Sequence, residues 1–165
     1  MTLARFSRFL IVESGLMSAP RPLMVAPMPG PSFIHRHRVS FHETDMAGVV
    51  HFSNFFRFVE NAEHAFAREL QEETGFPLLA EGHAWPRVHA SCDFQSPARF
   101  DDLLEIHLHL DAPGTSSLRY RFEILRDATL LASGKVVVAH IDTLSSPPRA
   151  TPLPDAIRAA LNRRL

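Results

Sequence analysis

The sequence predicts an α+β domain in which one long amphipathic helix follows a first strand and four further antiparallel strands come after it. Two periodicities carry this. Phe55, Val59, Ala62, Phe66 and Leu70 recur every three or four residues, with Arg57, Asn61, His64, Arg68 and Gln71 opposite them, which is the repeat of a helix with one buried stripe. Leu118, Tyr120, Phe122 and Ile124 alternate with Arg119, Arg121 and Glu123, which is the repeat of a half-buried strand. A helix with a single apolar stripe needs a covering layer, and a curved sheet supplies one. The 165 residues, 45% of them hydrophobic, are enough for one such core.

In chain order, residues 1–31 are expected to be a flexible N-terminal extension ahead of a domain over 32–165. Arg5 and Arg8 flank the start of a short apolar run, but Glu13 ends that run after Phe9-Leu10-Ile11-Val12, short of the roughly 7–15 residues of a signal-peptide core. From Ala19 to Pro31 the chain is rich in Pro and Met and reads as an extended arm, with Met17, Met24 or Met28 nearer the true start. Phe33, His35, His37, Val39 and Phe41 share one face of the first strand. Asp45 ends this alternation, Gly48 permits a sharp turn, and Ser53 or Asn54 is the expected N-cap of the helix. The helix should run about five turns and stop at Gly75, with Pro77 beyond it. A loop through Glu81, Gly82 and His83 leads to Trp85 and the strands. Arg126-Asp127-Ala128-Thr129 reads as a hairpin turn, and the more continuously apolar run from Lys135 to Ile141 reads as a central strand. Pro147, Pro148, Pro152 and Pro154 break the chain before a short helix from Asp155 to Arg163.

Composition narrows the function classes. A net charge of −1 argues against binding nucleic acid through phosphate neutralisation, and no stretch reaches the roughly 18 apolar residues of a membrane span. The single cysteine, Cys92, cannot close an intramolecular disulfide, which fits a cytoplasmic location; it reads as a buried structural thiol. His35-x-His37 has ligand-like spacing, yet no Cys and no third ligand accompany it, so no metal site is expected. His107 and His109 lie opposite Leu104, Ile106, Leu108 and Leu110 and read as a solvated strand face.

The stretch D-M-A-G-V-V-H-F-S-N-F-F-R-F-V-E, Asp45 to Glu60, has an order and spacing of its own: an acid, two residues, Gly, a hydrophobic-aromatic run, Asn, an aromatic and a closing acid. It resembles the signature of hotdog-fold acyl-CoA thioesterases of the 4-hydroxybenzoyl-CoA thioesterase type. The similarity continues through P-R-V-H-A-S-C-D-F-Q-S-P-A-R-F-D-D, S-S-L-R-Y-R-F-E-I and the closing P-L-P, from about Phe33 to Leu165. The resemblance implies a hotdog fold, with a five-stranded antiparallel sheet wrapped around one long helix. It also implies a homodimer with its active site at the subunit interface, a homotetramer being the larger option. The substrate would be an acyl-CoA or aryl-CoA, with no metal and no cofactor besides the coenzyme A of the substrate. Carried over by position, Asp45 is the catalytic acid, the Phe52 backbone N–H polarises the carbonyl, and Glu60 and His51 are further catalytic candidates. Gly48, Val49, Asn54 and Phe55 are the substrate-binding candidates. Two departures stand out: His51-Phe52 replaces the Tyr-His of many bacterial relatives, and Phe55 replaces a common Tyr, which makes the pocket more apolar.

The residues themselves agree with such chemistry. Thioester hydrolysis needs a nucleophile or an activated water, and donors where the carbonyl oxygen turns negative. Asp45 supplies the first, as nucleophile or general base, and the unpaired N–H groups of a helix N-terminus supply the second. Other readings stay open at this level. Asp45 also suits a turn or cap. Glu60 sits roughly 140° round from Phe55 on the helix, at the margin of the stripe, facing a cleft or water. Phe52, Phe55, Phe56 and Phe58 line an acyl site or belong to the core. Arg87, Arg99, Arg119, Arg121 or Lys135 meet the phosphates of coenzyme A or are solvated strand-face charges. The alternatives in function are a non-hydrolytic acyl-thioester-binding protein, a dehydratase-like enzyme, or a metal-binding β protein using the His-x-His pairs.

Overall fold

The computed structural model describes residues 30–78 and 81–165. The expected N-terminal extension lies almost wholly outside the described residues. Strand β1 (Phe33–Arg38) leads through a 3-10 turn (Phe41–Glu43) to helix α1 (Phe52–Thr74). Then follow β2 (His83–Ala84), β3 (Arg87–Phe94), β4 (Leu103–Leu110), β5 (Ser117–Arg126), β6 (Thr129–Ala139), β7 (Ile141–Asp142), β8 (Arg149–Ala150) and helix α2 (Asp155–Asn162). Five strands form one antiparallel sheet in the order β1-β4-β5-β6-β3. A second, small sheet joins β2, β7 and β8.

The long helix forms on the stripe the sequence displays. Phe55, Val59, Ala62, Phe66 and Leu70 are all buried, whereas Arg57, Asn61, His64, Arg68 and Gln71 are exposed. Gly75 ends it in the left-handed conformation, φ 70°, donating its N–H to Gln71 O. Against the stripe lie Leu104, Ile106 and Leu108 of β4, Leu118, Tyr120, Phe122 and Ile124 of β5, and Ala132, Val136 and Val138 of β6, all buried. Helix α2 adds Ile157, Ala160 and Leu161 to this core.

Gly134 sets how closely the strands approach. A Cβ there would lie 2.0 Å from Ser91 O and 2.6 Å from the Phe122 ring, so only glycine allows β3 to pair with β6 while Phe122 packs across it. The hairpin between β5 and β6 turns at Asp127 and Ala128, whose φ of 48° and 62° are the two positive values of a type I′ turn, made without glycine.

Four expectations are corrected. The N-cap is His51, not Ser53 or Asn54, because Asn54 turns its side chain inward to anchor the preceding loop. Phe41 leaves the face of β1, since the strand ends at Arg38 and the chain winds into the 3-10 turn. His109 is not on a solvated face: it is 6% exposed, with Nε2 3.3 Å from a Glu123 oxygen, and His107 is half-buried with Nε2 3.3 Å from Glu105. Charged neighbours fold over both rings. Finally, the run from Lys135 to Ile141 is two strands, broken at His140, whose buried ring bonds His83 and Pro152 O and redirects the chain into the small sheet.

Candidate active site

The site begins with a five-residue excursion between Thr44 and Val50, which bridge each other antiparallel. Asp45 N–H donates to Val49 O at 2.9 Å, and Gly48 N–H donates to Asp45 O at 2.9 Å. Gly48 has φ +72°, a conformation that costs any other residue strain. The Asp45 carboxylate caps its own turn, with Oδ1 accepting from Ala47 N at 2.8 Å. Its Oδ2 has no partner among the described residues. Asp45 is therefore both a turn residue and an exposed carboxylate with one oxygen to spare.

Three bonds tie this turn to the scaffold. Val50 N–H donates to Ala98 O at 2.8 Å, His51 N–H to Glu43 O at 3.0 Å, and Asn54 Nδ2 to the same Glu43 O at 2.7 Å. Glu43 is itself fixed, since its carboxylate accepts from Ser40 N–H at 2.7 Å and lies 2.9 Å from His37 Nε2. The pair His35-x-His37 thus places one ring on a carboxylate of the loop anchor. Asn54, a substrate-binding candidate, has its amide engaged in this anchoring.

Helix α1 starts directly behind the turn. His51 Nδ1 accepts from Ser53 N at 3.4 Å and lies 2.8 Å from Ser53 Oγ, so the ring caps the helix and carries its proton on Nε2. The Phe52 N–H, at the first helical position, has no acceptor among the described residues, as the opening turn of a helix dictates. The Phe52 side chain is 63% exposed. Met46, Phe41 and Phe100 are likewise exposed, Phe41 and Phe100 meeting edge to face at 6.0 Å. Phe55 and Phe58 point the other way, into the core, and Phe55 packs against Phe94 at 5.1 Å. Val49 is half-buried and contributes its carbonyl to the turn. Arg99 donates to Gly48 O at 3.4 Å and so brings a cation to the turn.

Further along α1, Glu60 lies 3.4 Å from Arg87 of β3, and the same guanidinium bonds Glu63. Glu63 is 7% exposed, its Oε2 held by Arg87 and its Oε1 buried without a partner. Leaving such an oxygen unsatisfied costs about 1–3 kcal/mol. Burial pushes its carboxyl up to about 7 against the pull of Arg87, with Glu60 adding to the rise. Sequence reasoning passed over Glu63, although it stands four residues after Val59 and three before Phe66, a buried position by helical spacing. Its partner comes from a strand and leaves no local trace. Glu63 and Arg87 border a cavity of about 260 Å³, also lined by Ala67, Leu78, Trp85 and Tyr120.

Cys92 faces inward from β3 and is half-buried; burial and then the Asp93 charge push its thiol up to about 11. A neutral thiol of this kind is no nucleophile near pH 7.

The fold, the acid-bearing turn and the open helix N-terminus together define a thioesterase-like protein. The chain belongs to the thioesterase-like superfamily, whose family model matches residues 39–161. Its relatives include proteins named as thioester hydrolases, and the chain is an enzyme of that class. An acyl-CoA thioester hydrolase, YbgC, of Escherichia coli is 32% identical over 116 residues, covering 70% of this chain and 86% of that protein. A protein described as a putative esterase of Aquifex aeolicus is 33% identical over 103 residues, 61% of this chain and 77% of its own. Among solved structures, a 1,4-dihydroxy-2-naphthoyl-CoA thioesterase from Synechocystis superposes with a TM-score of 0.68 at 27% identity, over 79% of this chain and 97% of that one. No helix among the described residues is long and apolar enough to cross a membrane.

Proposed function

We propose that the protein hydrolyses an acyl-CoA or aryl-CoA thioester to the free acid and coenzyme A, with Asp45 as the reacting carboxylate. The observation that supports this reading is an exposed Asp45 carboxylate with one oxygen unbonded, followed seven residues on by the unpaired Phe52 N–H of the helix start, with the intervening chain fixed to the scaffold by Ala98 and Glu43. The thioester carbonyl oxygen accepts from Phe52 N–H, where the partial positive charge of the helix end favours an oxyanion. As general base, Asp45 takes a proton from water while the water oxygen bonds to the carbonyl carbon. The tetrahedral intermediate then expels the thiolate, which recovers the proton from Asp45. As nucleophile, Asp45 Oδ2 itself forms the new C–O bond, the C–S bond breaks, and water cleaves the resulting anhydride.

His51 caps the helix and keeps the Phe52 N–H oriented, and Gly48 and Val49 shape the turn. Glu60 is drawn toward Arg87, which suits a role beside the acyl group rather than on the carbonyl. The protein acts as a homodimer. Strand β3 is a sheet edge, exposed along most of its length with Val88 and Phe94 uncovered, and at its end Phe94 packs against Phe55 of α1. Pairing of two β3 edges hides that surface and closes each site with its partner. The reading is tested by mixing the pure protein with a panel of aliphatic and aromatic acyl-CoA esters and following free thiol release. Release from at least one ester supports it. No release from any ester, with binding retained, turns the assignment to an acyl-thioester binder.

A further inference from the structure

The cavity between α1 and the sheet has apolar walls and an unsatisfied polar end. Leu70, Leu78, Leu118 and Val138 supply the walls. At the polar end stand Glu63, whose Oε1 is buried without a partner, and Tyr120, 6% exposed, whose hydroxyl makes no hydrogen bond to a described residue but keeps contact with solvent. Arg87 does not complete this end, because it is already shared between Glu60 and Glu63. A buried acceptor such as Glu63 Oε1 that lacks a protein partner calls for a group from outside the chain, an ordered water or a ligand.

We propose that this cavity receives the far end of a long acyl chain and that Glu63 and Tyr120 select a chain carrying a hydroxyl there. The inference rests on the thioesterase reading above and names its substrate class. Three arguments lead to it. Phe52, Phe56, Glu60, Glu63 and Ala67, spaced by four, four, three and four residues, lie along one face of α1, from the proposed carbonyl site to the cavity. Glu63 follows Phe52 by eleven residues, about 16 Å of helix rise, a distance that a single aromatic ring cannot span and an extended chain can. A hydroxyl both donates and accepts, so it satisfies Glu63 Oε1 whether the carboxyl is protonated or ionised, and it also meets the Tyr120 O–H. A terminal carboxylate would face the Glu63 carboxyl, with the Arg87 guanidinium already engaged by Glu60 and Glu63. A terminal ammonium would bring three donors to two free acceptors, Glu63 Oε1 and the Tyr120 oxygen, and a second cation beside Arg87. An unsubstituted chain leaves both protein groups unpaired.

The test uses lauroyl-CoA and ω-hydroxylauroyl-CoA, with butyryl-CoA as a chain too short to reach the cavity. Trp85, the single tryptophan of the chain, lines the cavity, so its fluorescence reports binding without any need for turnover. The wild type should favour the hydroxylated chain at least about tenfold, both in the Trp85 titration and in kcat/KM, as one net hydrogen bond to a charged group predicts. Tyr120→Phe and Glu63→Leu, both of which keep the core filled, should each erase most of that preference while leaving butyryl-CoA turnover within about twofold. Equal binding of the two long chains by the wild type overturns the proposal, as does a loss in the variants that is the same for both chains. A Trp85 preference without thiol release upholds the cavity and refutes hydrolysis. Thiol release without chain preference does the reverse.

Discussion

Asp45 and Glu63 are carboxylates with opposite surroundings, and the difference sorts their roles. Asp45 is exposed on a turn that uses one of its oxygens, so the other is free for chemistry with substrate. Glu63 is buried beside Arg87 with a carboxyl pushed up to about 7. The folded protein therefore keeps the Glu63 proton up to about pH 7, whereas the unfolded chain releases it near the ordinary value of 4.5. Raising the pH through that window favours the unfolded chain. Urea denaturation of wild type and Glu63→Gln should show the wild type losing on the order of 3 kcal/mol relative to the variant between the two pH values. A difference that stays constant with pH would show that Glu63 ionises normally. Asp45 was legible in the sequence through its turn signals and the flanking motif. Glu63 was legible only as an acid on a buried helical position, because Arg87, which holds it, lies 24 residues away on another element.

Among elements, the long-period patterns were readable and the short ones were not. The stripe of α1, the cap at Gly75 and the Asp127-Ala128 hairpin all follow from local spacing or turn chemistry, and the structure contains each. The helix start was misplaced because Ser53 and Asn54 are good caps in isolation, while a tertiary bond from Asn54 to Glu43 O shifts that role to His51. The sheet of β2, β7 and β8 consists of two-residue strands, too short for any periodicity, and it is organised by the buried His140. Gly134 shows a constraint seen only in three dimensions: Gly134→Ala would drive a methyl into Ser91 O and the Phe122 ring. It should destabilise the protein by about 3 kcal/mol, the upper range for overpacking, read as a lower urea midpoint. An unchanged midpoint would mean that β3 and β6 are spaced more widely than described.

At the scale of the molecule, the subunit leaves unprotected the surfaces that the proposed chemistry needs closed. The side chains of Phe41, Met46, Phe52 and Phe100 and the edge of β3 are exposed, as is the Asp45 carboxylate, which solvent reaches in a lone subunit. The proposed homodimer would cover them. Sedimentation should give twice the 18.5 kDa chain mass, and thiol release per chain should fall on dilution in step with dissociation. A fully active monomer would contradict an interfacial site. The sequence pointed to this assembly only through resemblance, since an exposed edge is a property of the whole sheet and of no single strand.

The central claim is that Asp45 performs the reaction, and its substitution by Asn tests it most directly, because Asn keeps the shape of the turn and still accepts from Ala47 N. Thiol release under saturating acyl-CoA should fall at least about 10²-fold in Asp45→Asn, with the urea midpoint unchanged. A variant that folds as the wild type does and turns over at an undiminished rate would place the chemistry elsewhere.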